Sequence, residues 1–299
     1  MNYEEFTLEI KREVQETFGE DYLVDCEKII KNNSTKLVGL MIRKNGSIIS
    51  PTIYLEDFYA MYKKGMTIGK LKERILTIYE NACQRIENDY DTSFCMEFKN
   101  CRDRIVYRLV SKKKNQIILE NTPYVPFLNL AVIFYIVYRS SDKGLESIRV
   151  THELMRRWEV TTEELVQYAG ENTKHWFPER TADMTEVVSA FMQKNKPKTV
   201  DEAISSKLLI LSNTSGINGA SVLLYDNVIK ELAEKFASDL YILPSSIHEV
   251  LLLPVNSGAD VEDLKKTVRH VNEVAVSKED YLSDNVYIYR RKTNSFEYE

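Results

Sequence analysis

The sequence predicts an α+β fold: an N-terminal helix–three-stranded meander–helix unit, followed by a larger, mostly antiparallel sheet flanked by helices. Three observations lead there. Apolar residues spaced four apart recur in some segments, while others alternate or run apolar and are rich in Val, Ile and Tyr. Asn45-Gly46 separates two alternating runs, a strong hairpin signal because both turn positions need positive φ. The last third alternates short apolar runs, turn residues and amphipathic stretches. With 299 residues the chain has room for one large domain or two ordinary ones. The polar stretch Asn88 to Ser93 is the best break, giving units 1–92 and 93–299, with one compact domain as the alternative.

Phe6, Ile10, Val14 and Phe18 form one stripe on a first helix, Tyr3 to Phe18. Tyr22 to Ile30, Lys36 to Arg43 and Ser47 to Leu55 make the meander, and Leu71, Ile75, Ile78, Ala82 and Ile86 mark a helix over Ile68 to Tyr90. Leu128 to Tyr138, broken only by Asn129, reads as a buried strand. Thr161 and Glu164 fit a capping box, whose helix buries Leu165, Tyr168 and Ala169 and ends before Pro178. A further helix is expected over Asp183 to Gln193. Strands are expected over Lys207 to Ser212 and Ala220 to Tyr225, joined by the turn Asn213 to Gly219. Asp226 is expected to cap the next helix, and Asp260 another with Val261, Leu264, Val268 and Val271 inward. Asn285 to Arg291 is the last strand.

A net charge of −5 argues against a protein that lives by binding phosphate backbones, and the basic runs are short: Lys112 to Lys114, Arg156-Arg157 and Arg290 to Lys292. The four cysteines, Cys26, Cys83, Cys95 and Cys101, form no Cys-x-x-Cys pair, so no zinc site is expected and free thiols in a cytoplasmic protein are the natural reading. No apolar run approaches the roughly 20 residues that span a bilayer.

Asp239 to Val255 is the most legible segment. Leu243-Pro244-Ser245-Ser246 fits a type I turn, and from Ile247 the chain is expected to alternate as a strand. That pattern puts His248 on the face of Val250 and Leu252, with Glu249 on the other. The segment resembles an uncharacterised bacterial family of anaerobic gut bacteria, domain-of-unknown-function family 5688. The resemblance extends to Asn218 to Ala220, Glu171 to Thr173 with Phe177-Pro178, and Leu282 to Asp284 with Val286-Tyr287. It covers nearly the whole chain and implies a bacterial intracellular protein, with no mechanism attached.

Ser245, Ser246 and His248 invite a hydrolase or transferase reading, with a serine as nucleophile and His248 as base. Asp284 or Glu171 is then the acid expected behind the ring. Against it stand the missing Gly-x-Ser-x-Gly elbow and the placement of Glu249. No histidine completes His-Glu-x-x-His after His152 or His248, so no metal is expected. The loop holding Asn213 and Asn218 could offer amides to an anion, but a hairpin turn explains it more simply. Asn172 and Trp176, at a helix end rich in aromatic residues, either cap the core or anchor a partner. The reading that absorbs most of this is a non-enzymatic protein that binds an unknown protein or small-molecule partner, without cofactor, nucleic acid or membrane.

Overall fold

Helix α1 (Tyr3–Phe18) begins at a reciprocal capping box between Asn2 and Glu5 and lays Phe6, Ile10 and Val14 into a core. The computed structural model describes residues 1–45, 51–89, 93–141, 144–183, 208–244 and 246–298. Chain contacts divide it into two compact units, Met1–Thr92 and Ser93–Glu299. In the first unit β1 (Tyr22–Ile30) pairs antiparallel with β2 (Lys36–Lys44), which pairs antiparallel with β3 (Thr52–Tyr54). The residues Gly46 to Ser50 of the expected Asn-Gly turn lie outside the described residues. Two helices follow, α2 (Glu56–Lys63), which the periodicity did not reveal, and α3 (Ile68–Asp89). Their inward side chains, Phe58, Leu71, Ile75 and Tyr79, join Val24, Leu40, Ile42 and Ile53 in one cluster. The buried row of α3 runs strictly every fourth residue through Tyr79, which leaves the expected core residue Ile78 45% exposed.

The second unit opens with α4 (Phe98–Cys101), β4 (Ile105–Ser111) and α5 (Gln116–Leu119). Next come β5 (Tyr124–Phe127), β6 (Leu130–Ser141) and β7 (Gly144–Arg149). The long strand β6 pairs with β4 along one edge and with β5 and then β7 along the other, all antiparallel. Its near-continuous apolar run follows from burial on both faces: Leu130, Val132, Phe134 and Ile136 enter the main core, while Ala131, Ile133 and Val137 face the other side.

Helices α6 (His152–Trp158) and α7 (Thr162–Trp176) cross to a second sheet. The capping box at Thr161 and Glu164 is formed, and Leu165 and Ala169 are fully buried. The second sheet contains β8 (Glu179–Asp183), β9 (Leu209–Asn213), then, after helix α8 (Val228–Phe236), β10 (Leu240–Leu243) and β11 (Val250–Pro254). Helix α9 (Val261–Val274) precedes β12 (Tyr287–Arg290) and β13 (Ser295–Tyr298). The strand order is β13-β12-β10-β11-β9-β8, antiparallel throughout. Asp260 caps α9 through the amides of Glu262 and Asp263.

Three expectations are corrected. Gly219–Leu224 is a 3-10 run and not a strand. Gly219 to Leu223 are all buried, so apolar periodicity carried no information about their conformation. Asp226 does not cap α8: the position before the helix is Asn227, in the left-handed region and without a side-chain bond, while Asp226 pairs with Lys174 Nζ at 2.6 Å. The strand after Ser246 starts at Val250, so His248 does not alternate with Val250 and Leu252. Of the expected helix over Asp183 to Gln193, Asp183 ends β8 and the rest lies outside the described residues. Among the described residues no helix is long and apolar enough to cross a membrane.

Candidate functional site

Two places in the second unit gather chemistry. The first is the connection of the β10–β11 hairpin, where Leu240 to Leu243 pairs with Leu251 to Pro254. Its backbone is fixed from both sides. Ile247 N–H donates to Asp280 O at 2.8 Å, and Ala220 N–H donates to Ile247 O at 3.1 Å. The Ser212 hydroxyl donates to His248 O at 2.7 Å. Gly219 is needed here, because a Cβ on it would lie 2.1 Å from Ser212 Oγ and 2.4 Å from His248 O.

The His248 ring sits in the middle of this arrangement. Its Nδ1 accepts the backbone N–H of Asn218 at 3.2 Å, and its Nε2 meets Asp280 Oδ1 at 3.1 Å. Asp280 also accepts the Ser277 hydroxyl at 2.7 Å. The carboxylate behind the ring is therefore Asp280. Asp284 instead accepts from Asn272 Nδ2 at 2.9 Å, and Glu171 lies on α7. Ser246 is buried, and its Oγ accepts the backbone N–H of His248 at 3.0 Å. Ser245 lies outside the described residues. With both ring nitrogens engaged, this arrangement leaves none to take a proton from a serine. Asn213 and Asn218 shape the neighbouring turn. Asn213 Nδ2 donates to Ile217 O at 2.8 Å, its Oδ1 accepts from Ser215, and Asn218 takes the left-handed φ of 54° that asparagine tolerates.

Asn172 and Trp176 act at the end of α7. Asn172 Nδ2 donates to the carbonyls of Arg102 and Ile105 at 2.7 and 3.0 Å, and Trp176 Nε1 donates to Asp103 O at 3.2 Å. These bonds tie α7 to the chain entering β4.

The second place is a cleft of about 420 Å³ beside α7. Val125 and Phe127 of β5, Val132 and Phe134 of β6, Tyr107 of β4 and Leu224 give it apolar walls. Val166, Gln167, Gly170, Glu171 and Lys174 line it from α7, and Lys174 is held there by Asp226. Tyr107 is the unusual member. It is 7% exposed, yet its hydroxyl has no hydrogen-bond partner among the described residues. Burial pushes its pKa above the ordinary tyrosine value, with Tyr225 and Asp226 adding to the effect. Tyr225, packed edge-on against it, is satisfied by the carbonyls of Phe177 and Thr173 at 2.7 and 3.2 Å. Gly170 is the second unusual member, a glycine in the interior of a helix, where a Cβ would meet none of the described residues within 4 Å.

Neither Tyr107 nor Gly170 stood out in the sequence. Ile105 to Val110 carries the β-branched and aromatic residues of a strand, and the interior glycine of α7 was the one local signal. Among the described residues no group of three or more His, Cys, Asp and Glu is placed to hold a metal ion. A family model described as a family of unknown function (DUF5688) matches residues 3–291. No curated protein and no solved structure matches the chain.

Proposed function

As the chain belongs to this family of unknown function, we propose from its geometry that it is a non-catalytic binding protein. It holds a small, mostly apolar molecule with one hydrogen-bonding group in the cleft between α7 and the β4–β6–β5 sheet. The observation that carries the reading is the buried hydroxyl of Tyr107, which has no partner among the described residues. A buried hydroxyl without a partner costs about 1–3 kcal/mol, which a ligand group bonded to it recovers. Gly170 supports the reading from the opposite wall. Glycine inside a helix costs roughly 0.5–1 kcal/mol against alanine, and no packing among the described residues demands it. The cleft also falls within the roughly 300–1,000 Å³ of small-molecule sites, with apolar walls and few polar groups.

Of a protein partner and a small ligand, the cleft favours the ligand. The Ser246 and His248 segment then serves architecture, and the reading places the protein in the cytoplasm, consistent with four free cysteines. Thermal unfolding in the presence of indole, p-cresol and 1-octanol tests it. Any compound that binds only the folded state raises the melting temperature with concentration. A saturable rise with at least one of the three supports the reading, and no rise with any of them counts against it.

A further inference from the structure

The β4–β6–β7 sheet has a second face, opposite the cleft. In antiparallel pairs directly opposed residues share a face, so Arg108 (opposite Ile133), Tyr135 and Arg149 (opposite Tyr135) all stand on it. Ser147, opposite Val137, stands on it too. The Arg108 guanidinium lies 3.7 Å from the centre of the Tyr135 ring, a cation–π contact. From there its Nη2 reaches Ser147 Oγ at 2.6 Å. That brings it beside β7, two residues from Arg149. The Nε of Arg149 is itself buried and has no hydrogen-bond partner among the described residues. Tyr124 also stands on this face, opposite Ile133, with Lys112 Nζ 5.5 Å from its ring centre.

The charges here are unbalanced. Removal from water is the largest influence on Arg108 and pulls its pKa below the ordinary arginine value, and the only countering influences come from Tyr135. Among the described residues the ion pairs include neither Arg108 nor Arg149. Placing two arginine side chains on one sheet face with no counter-charge among the described residues is unfavourable, and an anion bound between them reverses the sign. Ser147 already accepts from Arg108, so its hydroxyl hydrogen is left to donate to another oxygen.

We propose that this face binds a phosphomonoester, with Arg108 and Arg149 on its phosphoryl oxygens and the Ser147 hydroxyl donating to a third. Two guanidinium forks match a dianion in charge and in planar donor geometry, where a single carboxylate uses only one of them. The neighbouring Tyr124 ring offers a flat apolar surface for the organic part of the ester. This site is independent of the cleft, and either can fail without the other.

Calorimetric titration of the whole chain with phenyl phosphate, in phosphate-free buffer at low salt, tests the proposal. The expected result is saturable one-to-one binding that weakens as salt rises. Arg149→Gln is expected to weaken it by about tenfold or more, the effect of losing a charge-assisted hydrogen bond. Arg149 is the variant of choice because Arg108 also packs on Tyr135, and a melting curve checks that R149Q is folded. Arg108→Lys, which keeps the charge but loses the fork, is expected to weaken binding too. No saturable binding at millimolar phenyl phosphate, or binding by folded R149Q equal to the unaltered chain, overturns the proposal. Sedimentation with phosphatidic acid vesicles forms a second arm. Vesicle capture without phenyl phosphate binding also overturns it, since the phosphate is then read only on a membrane.

Discussion

The backbone N–H of Asn218 donates to Nδ1 of His248, and Asp280 holds the other ring nitrogen at 3.1 Å. An amide can only donate, so Nδ1 is the bare nitrogen and Nε2 carries the proton toward Asp280. The ring thereby bridges three stretches distant in sequence: the turn before the 3-10 run, the hairpin connection and the segment after α9.

Replacing His248 with Ala removes both side-chain bonds and strands their partners. The expected loss is about 1–2 kcal/mol, since the site is half-exposed and water replaces part of what is lost. Urea unfolding measures it. Asp280→Asn, which keeps an acceptor oxygen for Nε2–H, is expected to lose less. Equal stability of H248A and the unaltered chain would mean that the bridge does not hold these segments together.

The buried tyrosines set an alkaline limit. Burial raises the phenols of Tyr107, Tyr225 and Tyr287 above their ordinary value of 10.0. Above that pH the unfolded chain releases these protons while the folded chain keeps them, so the unfolded state binds fewer. Stability is therefore fully present below pH 10.0 and falls as pH rises toward the folded values. Tyrosinate absorbance on raising the pH is expected to appear in two stages, exposed phenols first and these three only as the protein unfolds. A single titration of all tyrosines with the fold intact would contradict this.

Tyr107→Phe and Gly170→Ala are expected to stabilise the free protein, against the usual direction for substitutions at buried or half-buried positions. The first removes a hydroxyl without a partner, a gain of about 1 kcal/mol within the known range for such groups. The second replaces an interior helix glycine where a Cβ meets open space, a gain of roughly 0.5–1 kcal/mol. Denaturation midpoints check both. Destabilisation by either variant would mean that the residue is required by the fold and is not kept for a ligand.

The sequence shows the longer helices well where one face is wet, while the short helix α2 and the edge strands β8 and β13 escape it. Phe6, Ile10 and Val14 mark α1, and the capping box at Thr161 marks α7, because burial on one side imposes a period and a cap. The legibility ends where residues are buried all round. Gly219 to Leu223 look like a strand because all five are apolar or small, and their 3-10 conformation is set by bonds from distant segments, such as Ala220 N–H to Ile247 O. A different limit, separation along the chain, hid the site. His248 was visible as a histidine, but Asp280 lies 32 residues away and meets it only through the fold. Tyr107 reads as one more strand residue, and nothing in the sequence reports that its hydroxyl lacks a partner.

The central claim is that the cleft beside α7 receives a ligand. The most direct measurement is methyl NMR of Val125, Val132, Val166 and Leu224, which line it, during titration with indole. It is made on the unaltered chain and on Gly170→Leu, whose side chain fills the space beside the helix. Saturable shifts confined to these methyls, lost in a folded G170L, are the expected result. Shifts spread over the surface, or equal binding by G170L, would contradict it.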